Sequence, residues 1–256
     1  MSETRTLSGK RGLIVGVANE HSIAYGCALV AHAQGAELVL SCVNEKALSF
    51  VAPLAVQLDA KLIVCNVEDS KALASLVAQT AAQFGQIDFV IHSIAWAPLE
   101  DLHGRVIDSS AAGFTRAMQV SCHSFAQLAK CCEPYLSPTA SLITMSYLGA
   151  DEAVAHYGLM GPVKAALESL VRYMAVELGP QGVRVHALSP GPVPTRAASG
   201  LLEFDALMEK AAQRAPLRRL VSLAEIGQLA AFLISDASSG MTGQTLYVDG
   251  GYHIVN

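Results

Sequence analysis

The chain predicts an α/β fold, a doubly wound parallel sheet of seven strands in one domain spanning residues 1–256. Three observations carry that prediction. Seven short apolar runs alternate with six segments of helical pattern, as a parallel sheet with helices on both faces requires. The first run leads through a glycine-bearing turn into a capped helix, an arrangement suited to a phosphate. The residues with chemistry to offer follow the carboxyl ends of the runs, where such sheets take ligands.

The elements follow in order. Residues 12–17, GLIVGV, read as a buried parallel strand with glycine at its end. A helix follows, capped by Ser22 and ended by Gly35. The pattern Gly16-x5-Ser22-Ile23-Ala24-x-Gly26 thus lies between a strand and a helix start, where free amides and the helix dipole favour a phosphate. Gly16 permits the sharp turn, and Gly26 permits close packing or close ligand approach. Residues 36–43 are the second strand, whose exit meets the adenosine ribose in a dinucleotide-binding fold. No arginine stands there to hold a 2′-phosphate. Glu45 would repel one, with Lys46 as a partial offset, so NAD(H) is favoured over NADP(H).

Residues 45–57 suit a helix interrupted at Pro53, and 62–67 a strand that brings Asn66 and Val67 near an adenine. A helix over 69–84 ends at Gly85, and the fourth strand, 89–95, opens into the loop Trp96-Ala97-Pro98. A long helix is expected over 110–133, a fifth strand over 140–146, and then a helix carrying Tyr157 and Lys164 to about Leu178. The sixth strand and its exit span 183–192, a helix spans 223–235, and the last strand spans 245–251. Between them, the segment 190–214 opens with three prolines in five residues, and 201–208 offers an apolar helical stripe. It reads either as a surface element packed on the body or as a flap, about 193–214, whose apolar face covers a greasy substrate.

Composition sets limits. Apolar residues make up 52% and charged residues 15%, below the usual quarter, which implies a large interior, an oligomer interface, or both. The net charge is −5 and no basic run exceeds the pair Arg218 and Arg219, which argues against nucleic acid as a partner. No apolar run reaches membrane-spanning length without a charge or turn signal, and MSETRTLSGKRG lacks the apolar core of a signal peptide. The six cysteines lie mostly in apolar segments without a Cys-x2-Cys pair, fitting reduced thiols and a cytoplasmic protein. No His-x3-His pair or acidic cluster points to a metal, and His92 and His156 read as packed or exposed histidines.

The stretch 146–165, SYLGADEAVAHYGLMGPVKA, holds the candidate chemistry. On a helix, Tyr157 and Lys164 would share one side, about 10 Å apart along the axis. A neighbouring ammonium favours negative charge on the phenol oxygen and on whatever that oxygen hydrogen-bonds.

These segments together resemble the short-chain dehydrogenase/reductase superfamily, with its Rossmann-like fold, over essentially the whole chain. Within it they resemble the bacterial enoyl-acyl-carrier-protein reductases. The resemblance rests on the turn at 16–26, HSIAWAP at 92–98, SYLGA at 146–150, Tyr157-x6-Lys164, VRYMAVELGPQGVRV at 171–185 and GPVPTRAASG at 191–200. Carbonyl reductases of the superfamily use Tyr-x3-Lys with a serine thirteen residues before the tyrosine. Here those positions hold Met160 and Tyr147, so the enoyl reductase pair Tyr147 and Tyr157 stands instead. Departures are Trp96 for phenylalanine, His123 for tyrosine, Asn66 for aspartate, Pro194 for a basic residue, and Pro162 in the active-site helix, where it predicts a kink.

The resemblance implies NADH-dependent reduction of a trans-2-enoyl thioester held by acyl carrier protein, and a homotetramer. It implies catalytic Tyr147, Tyr157 and Lys164, with Tyr147 serving positioning or proton delivery. Cofactor contacts fall to Gly16, Ser22, Ile23, Val43, Asn66, Val67, Ser93, Ile94, Lys164, Val193 and Thr195. Substrate contacts fall to Ala97, Tyr147, Tyr157, Met160 and Ala197. An acidic carrier would meet Arg196, Lys210, Arg214, Arg218 and Arg219. A carbonyl reductase or alcohol dehydrogenase, and a cofactor-binding homologue without catalysis, are the alternatives.

Overall fold

The computed structural model describes residues 5–195 and 200–255. Its strands are β1 (Arg11–Val15), β2 (Glu37–Cys42), β3 (Lys61–Val64), β4 (Ile87–His92), β5 (Leu136–Met145), β6 (Arg184–Pro190) and β7 (Gln244–Val248). All pair in parallel, in the order β3-β2-β1-β4-β5-β6-β7. The order reverses between β1 and β4, which opens a crevice at their carboxyl ends.

Helices α1 (Ile23–Ala33), α2 (Glu45–Gln57) and α9 (Leu223–Ile234) bury their apolar stripes on one face of the sheet. Helices α3 (Ser70–Phe84), α5 (Ala111–Met118), α6 (Ser124–Cys132) and α7 (Met160–Leu178) cover the other. The short α4 (Leu99–His103) and α8 (Phe204–Arg214) stand above the carboxyl edge. The strand β6 has no exposed residue, so its arginine is buried as well. Arg184 spends its guanidinium on the end of α9, donating to Leu233 O at 2.7 Å and to the Ser238 hydroxyl. A cation there satisfies carbonyls that a helix end leaves without partners.

Five expectations need correction. Pro53 does not interrupt α2 but sits inside it. It removes the amide that would reach the Ser49 carbonyl, and both residues are exposed, so water can serve that oxygen. The long helix over 110–133 is broken by a π-helical turn at Gln119–His123, between α5 and α6. The apolar stripe at 201–208 begins outside the helix, since α8 starts at Phe204 after Glu203 in left-handed conformation (φ +51°). Tyr157 is not on α7, which starts three residues later at Met160. Pro162 is consequently the third helical residue, where the missing amide would have had no intrahelical partner, and it causes no kink.

Candidate active site

The turn after β1 is shaped by Gly16, whose φ is +101°. A Cβ on it would stand 2.2 Å from the Ser93 carbonyl oxygen, so only glycine lets the exits of β1 and β4 touch. Ser93 N–H in turn donates to Val15 O at 2.9 Å. Ser22 caps α1, its hydroxyl donating to Asn19 O at 2.7 Å and accepting from Tyr25 N–H. The first-turn amides of Ile23 and Ala24 have no intrahelical acceptor, and a helix start leaves such groups for a ligand. Gly26 proves to be a packing glycine. A Cβ there would lie 2.8 Å from Leu223 Cβ, and one on Gly227 would lie 2.7 Å from Gly26 O, so α1 and α9 cross backbone against backbone.

The other expected cofactor residues line the same edge. Val43 is exposed at the β2 exit, beside Asn44, whose side chain caps α2 through Ala47 N–H at 2.9 Å. Asn66 folds the β3 exit by accepting from Glu68 N–H at 3.1 Å, and Val67 is buried behind it. Ile94 is half-buried after β4. Val193 is buried and Thr195 half-buried past β6, with Thr195 N–H donating to Val193 O at 2.8 Å. The Gly16 turn, the helix start and a β2 exit without arginine but with Glu45 fit the pyrophosphate and unphosphorylated ribose of NAD(H).

At the β5 exit Tyr147 and Tyr157 meet, ring centroids 4.7 Å apart and planes inclined by 52°. The Tyr157 ring lies against Gly149, where a Cβ would come within 2.3 Å of it. Its backbone is a turn between two left-handed residues, His156 (φ +60°) and Gly158 (φ +51°). A Cβ on Gly158 would press to 2.9 Å from Leu102 O, so α4 bounds that turn. Met160, buried, donates its N–H to Tyr157 O at 3.2 Å and begins α7. One turn on, buried Lys164 donates to Met145 O at 2.6 Å, which directs the ammonium to the end of β5. Ser146 bonds Glu168 on the same helix.

Burial governs the electrostatics. It holds the Tyr157 phenol well above its ordinary range, with Tyr147 and Glu168 adding to the effect. It does the same to Tyr147, with smaller contributions from Tyr252 and Asp249. Burial, not Lys164, sets the state of both phenols: they stay protonated, as a hydrogen-bond donor must. The Tyr147 hydroxyl is buried without a hydrogen-bond partner among the described residues, a costly state that a ligand acceptor would relieve. Burial also lowers Lys164 to about 8, against the opposing pull of Cys122 and Glu168. Beneath it His92, fully buried, falls to about 3 through burial and then the lysine charge. It stays neutral, bonded to Thr144 Oγ1 at 3.0 Å and Ser124 Oγ at 2.8 Å.

A cleft of about 690 Å³ opens beside the Tyr157 turn, between residues 102–106, residues 149–158 and Leu202. Tyr157 forms part of its wall; Ala97, Tyr147 and Met160 do not. Ala97 is buried in the loop after β4. Ala197 and Arg196 lie outside the described residues. Two histidines tie the edge of the expected flap, His103 Nε2 to Gly200 O at 2.7 Å and His156 Nε2 to Glu203 at 3.3 Å. Of the basic residues expected to meet a carrier, Arg219 is held by Glu225 at 2.7 Å and Arg214 donates to Val255 O at 2.6 Å. Lys210 is exposed beside a smaller cleft with Leu202, Glu203 and Leu207. Sequence reasoning missed Ser121, Arg116 and Glu68, whose contacts to Trp96 and to one another cross up to 48 residues and leave no local pattern. Among the described residues no helix is long and apolar enough to cross a membrane.

The enoyl-(acyl carrier protein) reductase family matches residues 16–253. An NADH-type enoyl-[acyl-carrier-protein] reductase of Rhizobium meliloti (strain 1021) is 42% identical over 250 residues, covering 97% of this chain and 92% of its own. The crystal structure of the NADH enoyl-[acyl-carrier-protein] reductase from Aquifex aeolicus VF5 superposes with a TM-score of 0.94 at 39% identity, covering 97% of this chain and 98% of its own. That of the Anaplasma phagocytophilum reductase, in complex with NAD, does so with a TM-score of 0.93 at 39% identity, covering 100% and 96%.

Proposed function

The chain belongs to the enoyl-(acyl carrier protein) reductase family, and from that premise we propose how its residues divide the work. The protein is an NADH-dependent enoyl-acyl-carrier-protein reductase, converting trans-2-enoyl thioesters to saturated acyl thioesters in fatty-acid elongation. The observation that carries the assignment of roles is the pair of buried, protonated phenols at the β5 exit, one without a partner.

When bound, the reduced nicotinamide supplies the hydride that reaches the β-carbon. Gly16, Ser22 and Ile23 would hold the pyrophosphate, Val43 the ribose edge, Asn66 and Val67 the adenine. Ser93, Ile94, Val193 and Thr195 would border the nicotinamide end, and Lys164 would hold its ribose hydroxyls. Tyr157 donates a hydrogen bond to the thioester oxygen, where negative charge builds as the double bond is reduced; such a donor acts most strongly in the transition state. A phenol kept protonated by burial suits that role, because it can give a hydrogen bond without losing its proton. The Tyr147 hydroxyl gains its acceptor from the ligand and fixes the thioester against Tyr157. Met160 and Ala97 bound the acyl side, and the α-carbon proton comes from water.

The flap expected at about 193–214 would cover this site through its described part, residues 200–214, as part of a single domain. Lys210 is the basic residue placed to meet an acidic carrier. The exposed Tyr173 (68%) and Val176 (77%) on α7 support an assembly of copies through that face, as a tetramer in the cytoplasm. The test of the reaction follows reduced nicotinamide with trans-2-enoyl and β-ketoacyl thioesters in parallel, using NADH and NADPH. Oxidation of NADH with the enoyl substrate alone is expected. Turnover of the ketone alone would return the protein to the carbonyl reductases, and NADH binding without turnover to a non-catalytic role.

A further inference from the structure

Residues 93–98 leave β4, and on the functional reading above Ser93 and Ile94 serve the cofactor while Ala97 serves the acyl group. The segment has no regular structure, and its largest side chain, Trp96, is 38% exposed. Left to itself such a loop is mobile. Two devices hold it at one residue. Ser121 Oγ accepts from Trp96 N–H at 2.8 Å and donates to Trp96 C=O at 2.8 Å, so a single hydroxyl serves both backbone groups. Ser121 is fully buried and reaches the loop from the π-helical turn between α5 and α6.

The second device holds the indole. The Arg116 guanidinium carbon lies 4.3 Å from the centre of the Trp96 ring, within range of a cation–π attraction. An exposed arginine would wander, but Glu68 fixes it with a forked pair, Nε to Oε1 at 2.7 Å and Nη2 to Oε2 at 3.0 Å. That geometry sets the plane of the guanidinium as well as its position. Glu68 is the residue after Asn66 and Val67, so the brace runs from the exit of β3 to the exit of β4.

We propose that Arg116 is a positioning residue for the reduction: oriented by Glu68, it clamps Trp96 and holds residues 93–98 in the shape that receives NADH and the enoyl thioester. The brace acts through the loop and touches neither ligand. This rests on the functional reading above for its consequence in catalysis, though not for the clamp itself.

Trp96 is the only tryptophan in the chain, so tryptophan emission reports on this loop alone. The experiment compares wild type with Arg116→Met, Glu68→Gln, their double variant and Arg116→Lys, reading acrylamide quenching without ligands and then steady-state kinetics. Quenching is expected to rise about 2-fold in each single variant, with the double variant no worse than either. KM for the enoyl thioester and the dissociation constant for NADH rise about 3- to 10-fold, while kcat falls less than about 2-fold. Arg116→Lys recovers only part, because lysine keeps the charge and loses the fork. High salt raises the wild-type KM by a larger factor than that of Arg116→Met, since the pair is partly exposed. Unchanged quenching and KM in Arg116→Met, or additive losses in the double variant, would overturn the brace. Wild type that reduces no enoyl thioester would instead sink the functional reading, with the quenching arms still deciding the clamp.

Discussion

The turn after β1 and the turn before α7 both set ligand-facing groups at the carboxyl edge, and they do so by opposite means. The first is encoded locally. One glycine takes the positive φ, a serine caps the next helix within six residues, and the strand and helix on either side are regular. The second is encoded at a distance. Tyr157 sits between two left-handed residues, one of them a histidine, and α7 starts without a side-chain cap. Its shape depends on Gly149, on the Leu102 carbonyl and on Glu203 across the cleft. A non-glycine residue at positive φ costs energy that the surroundings must offset. The β1 turn is therefore a preformed cradle, proposed for the cofactor, and the tyrosine end is a turn held by its neighbours.

Substitutions at matching places should separate the two. Gly16→Ala has the largest expected effect: with φ +101° and a Cβ 2.2 Å from Ser93 O, NADH affinity should fall about 100-fold or more, as titration of the cofactor would show. Gly158→Ala, strained at φ +51° and facing Leu102 O at 2.9 Å, should lower kcat about 10-fold with the NADH dissociation constant unchanged. If both variants lost cofactor binding alike, the distinction between cradle and turn would be wrong.

The lysine joins the two ends, and its charge is legible in pH. Lys164 is lowered to about 8, so its ammonium is present below that pH and lost as pH rises through it. NADH affinity and kcat/KM should decline on the alkaline side near 8, and Lys164→Arg should move that limb upward. The unfolded chain keeps the proton to the ordinary lysine value of 10.5, so conformational stability from this group rises with pH between about 8 and 10.5 while binding falls. A denaturation series across that interval distinguishes the two trends. The smallest effect belongs to the exposed pair of His156 and Glu203. His156→Asn keeps a residue tolerant of positive φ and removes the contact to Glu203, so KM for the enoyl thioester should rise about 2-fold, matched by Glu203→Gln. A 10-fold loss in either would mean the contact carries far more of the turn than its exposure suggests.

The same contrast explains what could be read from the sequence. Apolar runs and the Gly16 turn are local signals, and the strands, their order of appearance and the turn into the capped helix α1 were legible from them. The spacing of Tyr157 and Lys164 looked helical because seven residues is close to two turns. The signals against a continuous helix were present in Gly158, Gly161 and Pro162, which together mark a helix start. Positive φ at His156 left no such mark, since histidine does not announce it. The π-helical turn that presents Ser121 and the brace from Glu68 through Arg116 to Trp96 arise only when distant elements pack. Likewise the state of the phenols followed from burial, which a neighbouring lysine in the sequence did not reveal.

The most direct test of the central claim is the rate of hydride transfer to a trans-2-enoyl thioester under single-turnover conditions, in Tyr157→Phe beside Tyr147→Phe, with NADH binding measured on both. The account predicts that Tyr157→Phe loses about 10- to 100-fold in that rate with NADH affinity intact, and that Tyr147→Phe loses less and mainly in substrate affinity. An unchanged transfer rate in Tyr157→Phe, or a larger loss in Tyr147→Phe, would contradict the assignment of Tyr157 as the donor to the developing charge.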